Sequence, residues 1–182
     1  MNATPHALPI ALVGVSGAGK STVAPLLAAR LHGAHADLDA RIEHRAALRI
    51  RELFATRGEV AFRELEAAEL GRALDEGACV IACGGGIVET AAARQLLVER
   101  CHTVWLEVDV SEALRRMGEG RDERPLLGAD PDPWGLANML SRRAAKYAEV
   151  ASSRVRTDGL TAHEVAERIV RAVEAWTSGS VS

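Results

Sequence analysis

Apolar and polar positions fall in alternating blocks along the chain. Short apolar runs at 8–13, 34–37, 78–83, 103–108 and 153–157 are candidate strands, and segments of helical periodicity, the first over 21–31, fill the gaps. Strands that alternate with helices predict an α/β fold with a parallel sheet covered on both faces. Ligands of such sheets sit beyond the carboxyl ends of the strands. The segments to inspect are therefore 14–20, Asp37 and Asp39, 84–86, and the stretch after Asp109. The last helix has an explicit start, because Thr161 with Glu164 forms a capping box; Val165, Ile169, Val173 and Trp176 then line one face. The residues after Trp176 and the lead-in 1–9 are expected to be disordered.

The 182 residues suit one domain, with no internal repeat and no interdomain linker. Hydrophobic residues make up 48% of the chain but aromatics only 3%, so Ala, Leu and Val must do the packing. A formal net charge of −3 argues against a nucleic-acid-binding surface. No apolar run approaches a membrane span, and the N-terminus has neither a basic n-region nor a long h-region, so no signal peptide is expected. Cys79, Cys83 and Cys101 lie on apolar stretches and read as reduced core residues of a cytoplasmic protein. A zinc site with His102 fits no established ligand spacing.

The sharpest chemical signal is Gly14-Val15-Ser16-Gly17-Ala18-Gly19-Lys20-Ser21, which fits the phosphate-binding pattern G-x-x-x-x-G-K-[ST] between a strand and a helix. Glycines let backbone N–H groups turn inward toward an anion, and the helix behind presents its positive end. Lys20 can reach the β/γ-phosphates and Ser21 can ligate Mg²⁺. Only two lysines occur, Lys20 and Lys146; the other cations are arginines.

Further residues point to a kinase. Asp37 and Asp39 close the second strand, and alternation along an extended segment would turn both carboxylates to the phosphate loop, although Asp is also a common helix N-cap. Ile50 and Phe54 share a helical face, and Phe62 has Arg63 beside it. That arrangement suits a partly apolar molecule carrying a carboxylate, although Arg63 with Glu66 also reads as an i,i+3 ion pair. Gly84, Gly85 and Gly86 are costly to order, which argues for close approach of backbone to a ligand. Arg143 follows in a later helix with Arg142 and Tyr147. The Gly-, Pro- and charge-rich stretch 118–133, with Arg121 and Arg124, reads as a mobile lid that excludes water. No N-K-x-D segment of the GTPase type is present.

The ordered set G-V-S-G-A-G-K-S-T, D-L-D-A-R-I-E, I-R-E-L-F-A-T-R-G-E-V-A-F-R-E-L-E, C-G-G-G-I-V, E-R-P-L-L and R-A-A-K-Y resembles the shikimate kinases of the nucleoside-monophosphate-kinase-like P-loop group, over residues 8–176. The resemblance implies a three-layer P-loop kinase fold with a five-stranded parallel sheet of order 2-3-1-4-5. It implies a single domain with a substrate-binding segment at 38–70 and the lid at 118–133. It also implies MgATP-dependent phosphorylation of the shikimate 3-hydroxyl, on the route to chorismate and aromatic amino acids, by a cytoplasmic monomer.

By the same resemblance Gly17, Ala18, Gly19, Lys20, Ser21 and Thr22 hold ATP, with Arg116 on the adenine, and Ser21 and Asp37 serve Mg²⁺. Asp39 binds substrate hydroxyls, Arg63 and Arg143 the carboxylate, and Gly84, Gly85 and Gly86 turn over the substrate. Ile50, Phe54 and Phe62 are wall positions, and Arg124 meets the transferring phosphoryl group; Lys20, Asp39 and Arg124 are the catalytic set. The chain departs from the pattern at Ala24-Pro25 and at Ala46-Ala47-Leu48-Arg49-Ile50, which places Arg49 by the pocket wall. Val15-Ser16 also resembles gluconate kinases. A kinase for gluconate or another hydroxy acid is the nearest alternative, followed by a catalytically silent nucleotide-binding regulator.

Overall fold

The structure, a computed structural model, describes residues 8–118 and 133–179. Five strands, β1 (Ile10–Val13), β2 (His35–Asp37), β3 (Val80–Ala82), β4 (His102–Glu107) and β5 (Ser153–Arg156), pair in parallel in the order β2-β3-β1-β4-β5. Ile10 stands between Val80 and His102, and Leu12 between Ala82 and Val104. The inner strands are buried on both faces, which is why they read as unbroken apolar runs. Edge strand β5 instead alternates, with Arg154 and Arg156 exposed and Val155 buried. Charge on the solvent side blunts an edge against further pairing.

Among the described residues seven α-helices connect and flank the strands: α1 (Lys20–Arg30), α2 (Leu38–Ala46), α3 (Ile50–Asp75), α4 (Ala91–Arg100), α5 (Val110–Met117), α6 (Pro133–Val150) and α7 (Ala162–Gly179), with a 3-10 turn at Ile87–Glu89. Right-handed crossovers put α1 and α7 together on one face and α3, α4 and α6 on the other. Pro25 sits inside α1 and forfeits one N–H donor, yet the helix runs on, with Val23, Ala24, Leu27 and Ala28 buried. Cys83 and Cys101 are buried, Cys79 is half-buried, and all three are free thiols, as expected.

Two expectations about the chain ends need correction. Pro9 is already tied into the sheet, because its carbonyl accepts from His102 N–H at 2.9 Å. Helix α7 runs past Trp176 to Gly179, and the hydroxyls of Thr177 and Ser178 turn back to donate to the Glu174 carbonyl. Its start is as expected: Thr161 N–H donates to Glu164 at 2.7 Å, and Glu164 N–H to Thr161 Oγ1 at 3.3 Å. The rest of the two expected tails, and most of 118–133, lie outside the described residues.

The segment 38–70 has a small core of its own, in which Ile42, Leu53 and Phe62 pack with Leu48, Ile50, Phe54 and Leu65. Helix α3 breaks at Gly58, whose φ of 76° and ψ of 173° suit glycine alone, and across the break the rings of Phe54 and Phe62 lie 4.5 Å apart. Helix α2 is fixed to α3 by Glu69, which is buried and accepts from Arg41 at 2.7 Å, Arg45 at 3.0 Å and Arg72 at 3.0 Å. Burial pushes the Glu69 carboxyl up, but these hydrogen bonds outweigh it and hold the group below the usual carboxylate range. Because the arginines are partly exposed, Glu69→Gln should cost only about 1–3 kcal/mol in urea unfolding. A cost near zero would show that the packing of α2 on α3 does not need this carboxylate.

Candidate active site

Everything that turns a strand toward chemistry does so at the carboxyl edge of the sheet. After β1 the chain forms the phosphate loop. Lys20, first residue of α1, is buried and bends back, so that Nζ donates to Gly14 O at 2.8 Å and Val15 O at 2.9 Å. Ser16, Gly17, Gly19, Ser21 and Thr22 line a cavity of about 420 Å³ beside it. Ala18 does not: it is buried, and its amide donates to Val15 O at 3.2 Å within the loop. On the outer side of the loop Arg116, in the last turn of α5, also lines the cavity. Its guanidinium is fixed by Glu112 at 2.7 Å and by the hydroxyl and carbonyl oxygens of Thr157 at 3.0 and 2.7 Å.

The two aspartates are not related by strand alternation, which corrects the expectation. β2 ends at Asp37, which caps α2 by accepting Ala40 N–H at 3.2 Å. Asp39 is already in the first turn of that helix and reaches the cavity from there; Asp37 stands outside the lining. Asp thus meets the N-terminal amides of α2 as a cap, and the helix turn rather than the pleat sets the direction of the second carboxylate.

The glycine turn after β3 faces the α3 side chains at close range. A Cβ on Gly84 would collide with Glu66 Oε1 and lie 2.8 Å from Asp39 Oδ1, and one on Gly86 would fall inside the Arg63 guanidinium. Neither conflict can be relieved cheaply, because Arg63 and Glu66 are both buried and paired with each other. The Arg63 guanidinium packs by the rings of Phe54 and Phe62, at 5.8 and 5.5 Å from their centroids, and also pairs with Glu59 at 3.1 Å. Ile50, Phe54 and Phe62 line the cavity. Arg49 does not reach it; this mostly exposed residue caps α3 and pairs with Glu43 at 3.1 Å, and Glu43 is the one that lines the cavity.

From the opposite side α6 brings Arg143 and Tyr147 onto the same turn. Arg143 Nη1 donates to Gly85 O at 3.2 Å and Tyr147 Oη to the same carbonyl at 2.5 Å. Arg143 Nε donates to Glu89 at 2.6 Å, and Lys146 holds the other oxygen of Glu89. Burial pushes the Tyr147 hydroxyl up, so it remains a donor. Arg124 lies outside the described residues.

Among the residues not anticipated as part of the site are Glu66, Glu89, Cys83 and Met117. Glu66 was visible only as a helical partner of Arg63. Glu89 and Arg143 are 54 residues apart and carry no local pattern. Burial drives the Glu66 carboxyl up to about 7; Arg63 pulls it down and Asp39 adds to the rise. Burial also pushes Glu89 up, but hydrogen bonds from Lys146 and Arg143 more than offset it and bring it down to about 2.

A parallel sheet of order 2-3-1-4-5 with a phosphate loop between its central strand and first helix is the fold of the P-loop kinases. The family model described as shikimate kinase matches residues 16–174. A shikimate kinase of Moorella thermoacetica is 41% identical over 167 residues, covering 92% of this chain and 95% of that one. The solved structure of the Acinetobacter baumannii shikimate kinase in complex with shikimate superposes with a TM-score of 0.88 at 33% identity, over 92% and 93% of the two chains. The chain belongs to the shikimate kinase family. A gluconokinase structure from Sinorhizobium meliloti 1021 shares the fold alone, at 17% identity, a TM-score of 0.60 and 94% coverage of each chain.

The raised Glu66 carboxyl predicts a pH-dependent stability. Unfolded, Glu66 loses its proton near its ordinary value of 4.5; folded, it keeps it to about 7. Between these values the native state binds the extra proton, so this contribution is fully present below 4.5 and is lost as pH rises through 7. Glu66→Gln mimics the protonated form. Relative to that variant, the wild type should lose on the order of 2–3 kcal/mol between pH 4.5 and pH 8 in urea unfolding. A constant difference would mean that Glu66 is ionised throughout.

Proposed function

We propose that the protein transfers the γ-phosphoryl group of ATP to the 3-hydroxyl of shikimate, as a monomer of the cytoplasmic route to chorismate and aromatic amino acids. The observation that carries this reading is the pair Arg63 and Arg143, which reach one cavity from opposite sides of a glycine turn, with Asp39 beside them and the phosphate loop across from them. Such a cavity suits a small acceptor with one carboxylate and several hydroxyls.

In the transfer, a new P–O bond forms to the substrate hydroxyl oxygen as the bond from Pγ to the bridging oxygen of ADP breaks. The hydroxyl proton leaves to Asp39 or to water. The transition state is loose, so positioning and charge stabilisation dominate. Lys20 and the loop amides of Gly17, Gly19 and Ser21 would cradle the phosphates, which requires Lys20 to exchange the carbonyls of Gly14 and Val15 for phosphate oxygens. Arg116 would flank the adenine, and Arg124 would stabilise the phosphoryl charge.

Ser21 and Asp37 offer hard oxygens and few of them, a set that fits Mg²⁺ held largely by phosphates and water. Bound there, the ion would neutralise charge on the phosphate oxygens. Asp39 orients the hydroxyl, an ordinary aspartate being a weak base toward an alcohol. Arg63 and Arg143 bind the carboxylate, Gly84, Gly85 and Gly86 close over the ring, and Ile50, Phe54 and Phe62 contact its apolar face.

ADP release coupled to shikimate, with gluconate run beside it, tests the reading: turnover is expected on shikimate only, and turnover on gluconate alone would overturn it. Arg63→Ala should raise the shikimate KM at least about tenfold and leave the ATP KM unchanged. Asp39→Asn should cut kcat by roughly a hundredfold or more. A near-normal kcat would remove Asp39 from the reaction.

A further inference from the structure

The two arginines of the cavity differ in their company. Arg63 faces two carboxylates, Glu59 and Glu66, and Asp39 approaches the same Gly84 that Glu66 does. On that side carboxylates outnumber cations. On the other side two cations share one carboxylate: Arg143 Nε and Lys146 Nζ each take one oxygen of Glu89.

The sharing is built into the backbone. Glu89 ends the 3-10 turn that follows the glycine turn, and its N–H donates to Gly86 O at 2.9 Å. Arg143 and Lys146 are three residues apart on α6, so both converge on it. Arg142, Arg143, Lys146, Glu59 and Glu89 line a second cavity of about 290 Å³, which shares Arg143 with the active-site cavity and again has cations in excess. Lys146 is one of only two lysines in the chain, and the other belongs to the phosphate loop.

We propose that Lys146, which does not line the active-site cavity, acts through Glu89 to keep Arg143 available to the substrate carboxylate. Were Lys146 neutral, Glu89 would be a full counterion to Arg143, and neither arginine would then carry unbalanced charge into the cavity. With Lys146 in place, Glu89 anchors the Nε edge of Arg143 in position while half of its demand is met from outside. Against the upward push of burial, the hydrogen bonds from Lys146 and Arg143 also favour the ionised form of Glu89 and bring its carboxyl down to about 2. Lys146 is thus a positioning and charge-balancing residue. The inference rests on the proposed carboxylated acceptor.

Four proteins test it in the ADP-release assay, with shikimate and ATP varied separately: wild type, Lys146→Met, Lys146→Arg and the double variant Lys146→Met/Glu89→Gln. Lys146→Met should raise the shikimate KM roughly five- to tenfold, with kcat within about twofold of wild type and the ATP KM unchanged. Lys146→Arg should keep the wild-type KM. The double variant should recover most of the loss, because a neutral amide in place of the Glu89 carboxylate no longer competes for Arg143. Lys146 is partly exposed, so the fold should tolerate the change; if Lys146→Met nonetheless lowers Tm, Lys146→Gln supplies the neutral arm. An unchanged shikimate KM in the neutral variant, or a double variant no better than the single one, overturns the inference alone. A wild type inactive on shikimate overturns the underlying reading as well.

Discussion

The arrangement of this site depends on one steric fact: there is no Cβ at Gly84 or Gly86. The Arg63 guanidinium occupies the space where a Gly86 side chain would begin, and the carboxylates of Glu66 and Asp39 crowd the same space at Gly84. Because α3 can press its polar side chains against bare backbone, the end of β3, the first turn of α2 and the body of α3 share one wall of the cavity. The Gly85 carbonyl, turned the other way, is held by Arg143 and Tyr147. A single turn thereby fixes the spacing between two guanidinium groups that come from helices far apart in sequence.

Charged groups do the holding, and their surroundings give each a different character. Glu69 is enclosed by three arginines and stays ionised, so it works as a fastener between α2 and α3. Glu66, more deeply desolvated and close to Asp39, sits near neutrality. Glu89 is drawn low by two cations. Buried ion pairs add little net stability, since desolvation offsets their attraction. Their effect here is positional: each fixes the helix or turn that delivers a cavity residue.

The sheet was legible because buried parallel strands are continuous apolar runs; all five were placed to within about two residues, an error typical of element ends. The phosphate loop is legible because its chemistry is local, Phe54 because it shares a helical face with Ile50, and Arg63 because it adjoins Phe62. Asp39 reaches the cavity, but not by strand alternation: the strand stops at Asp37, and nothing in the dipeptide step tells a pleat from a helix start. Arg49 was misplaced because a helix cap faces outward whatever the residue beside it does. Glu89 was invisible because its partners lie more than fifty residues away, and only the crossover through β4 and α5 brings α6 onto the 3-10 turn.

The two halves of the cavity have different structural origins. The phosphate half is made by β1, its loop and α1, at the centre of the main core, and it belongs to a fold that extends to proteins at 17% identity. The acceptor half is made largely by 38–70, which has its own small core and is divided at Gly58. A segment with its own core can change its wall residues without disturbing the sheet, so the P-loop fold alone cannot specify the acceptor. What specifies it is which charges the segment and α6 bring to the glycine turn. In this chain those charges are two arginines whose carboxylate partners leave them unequal, and on the proposed reading that inequality gives the cavity a direction for an anionic acceptor.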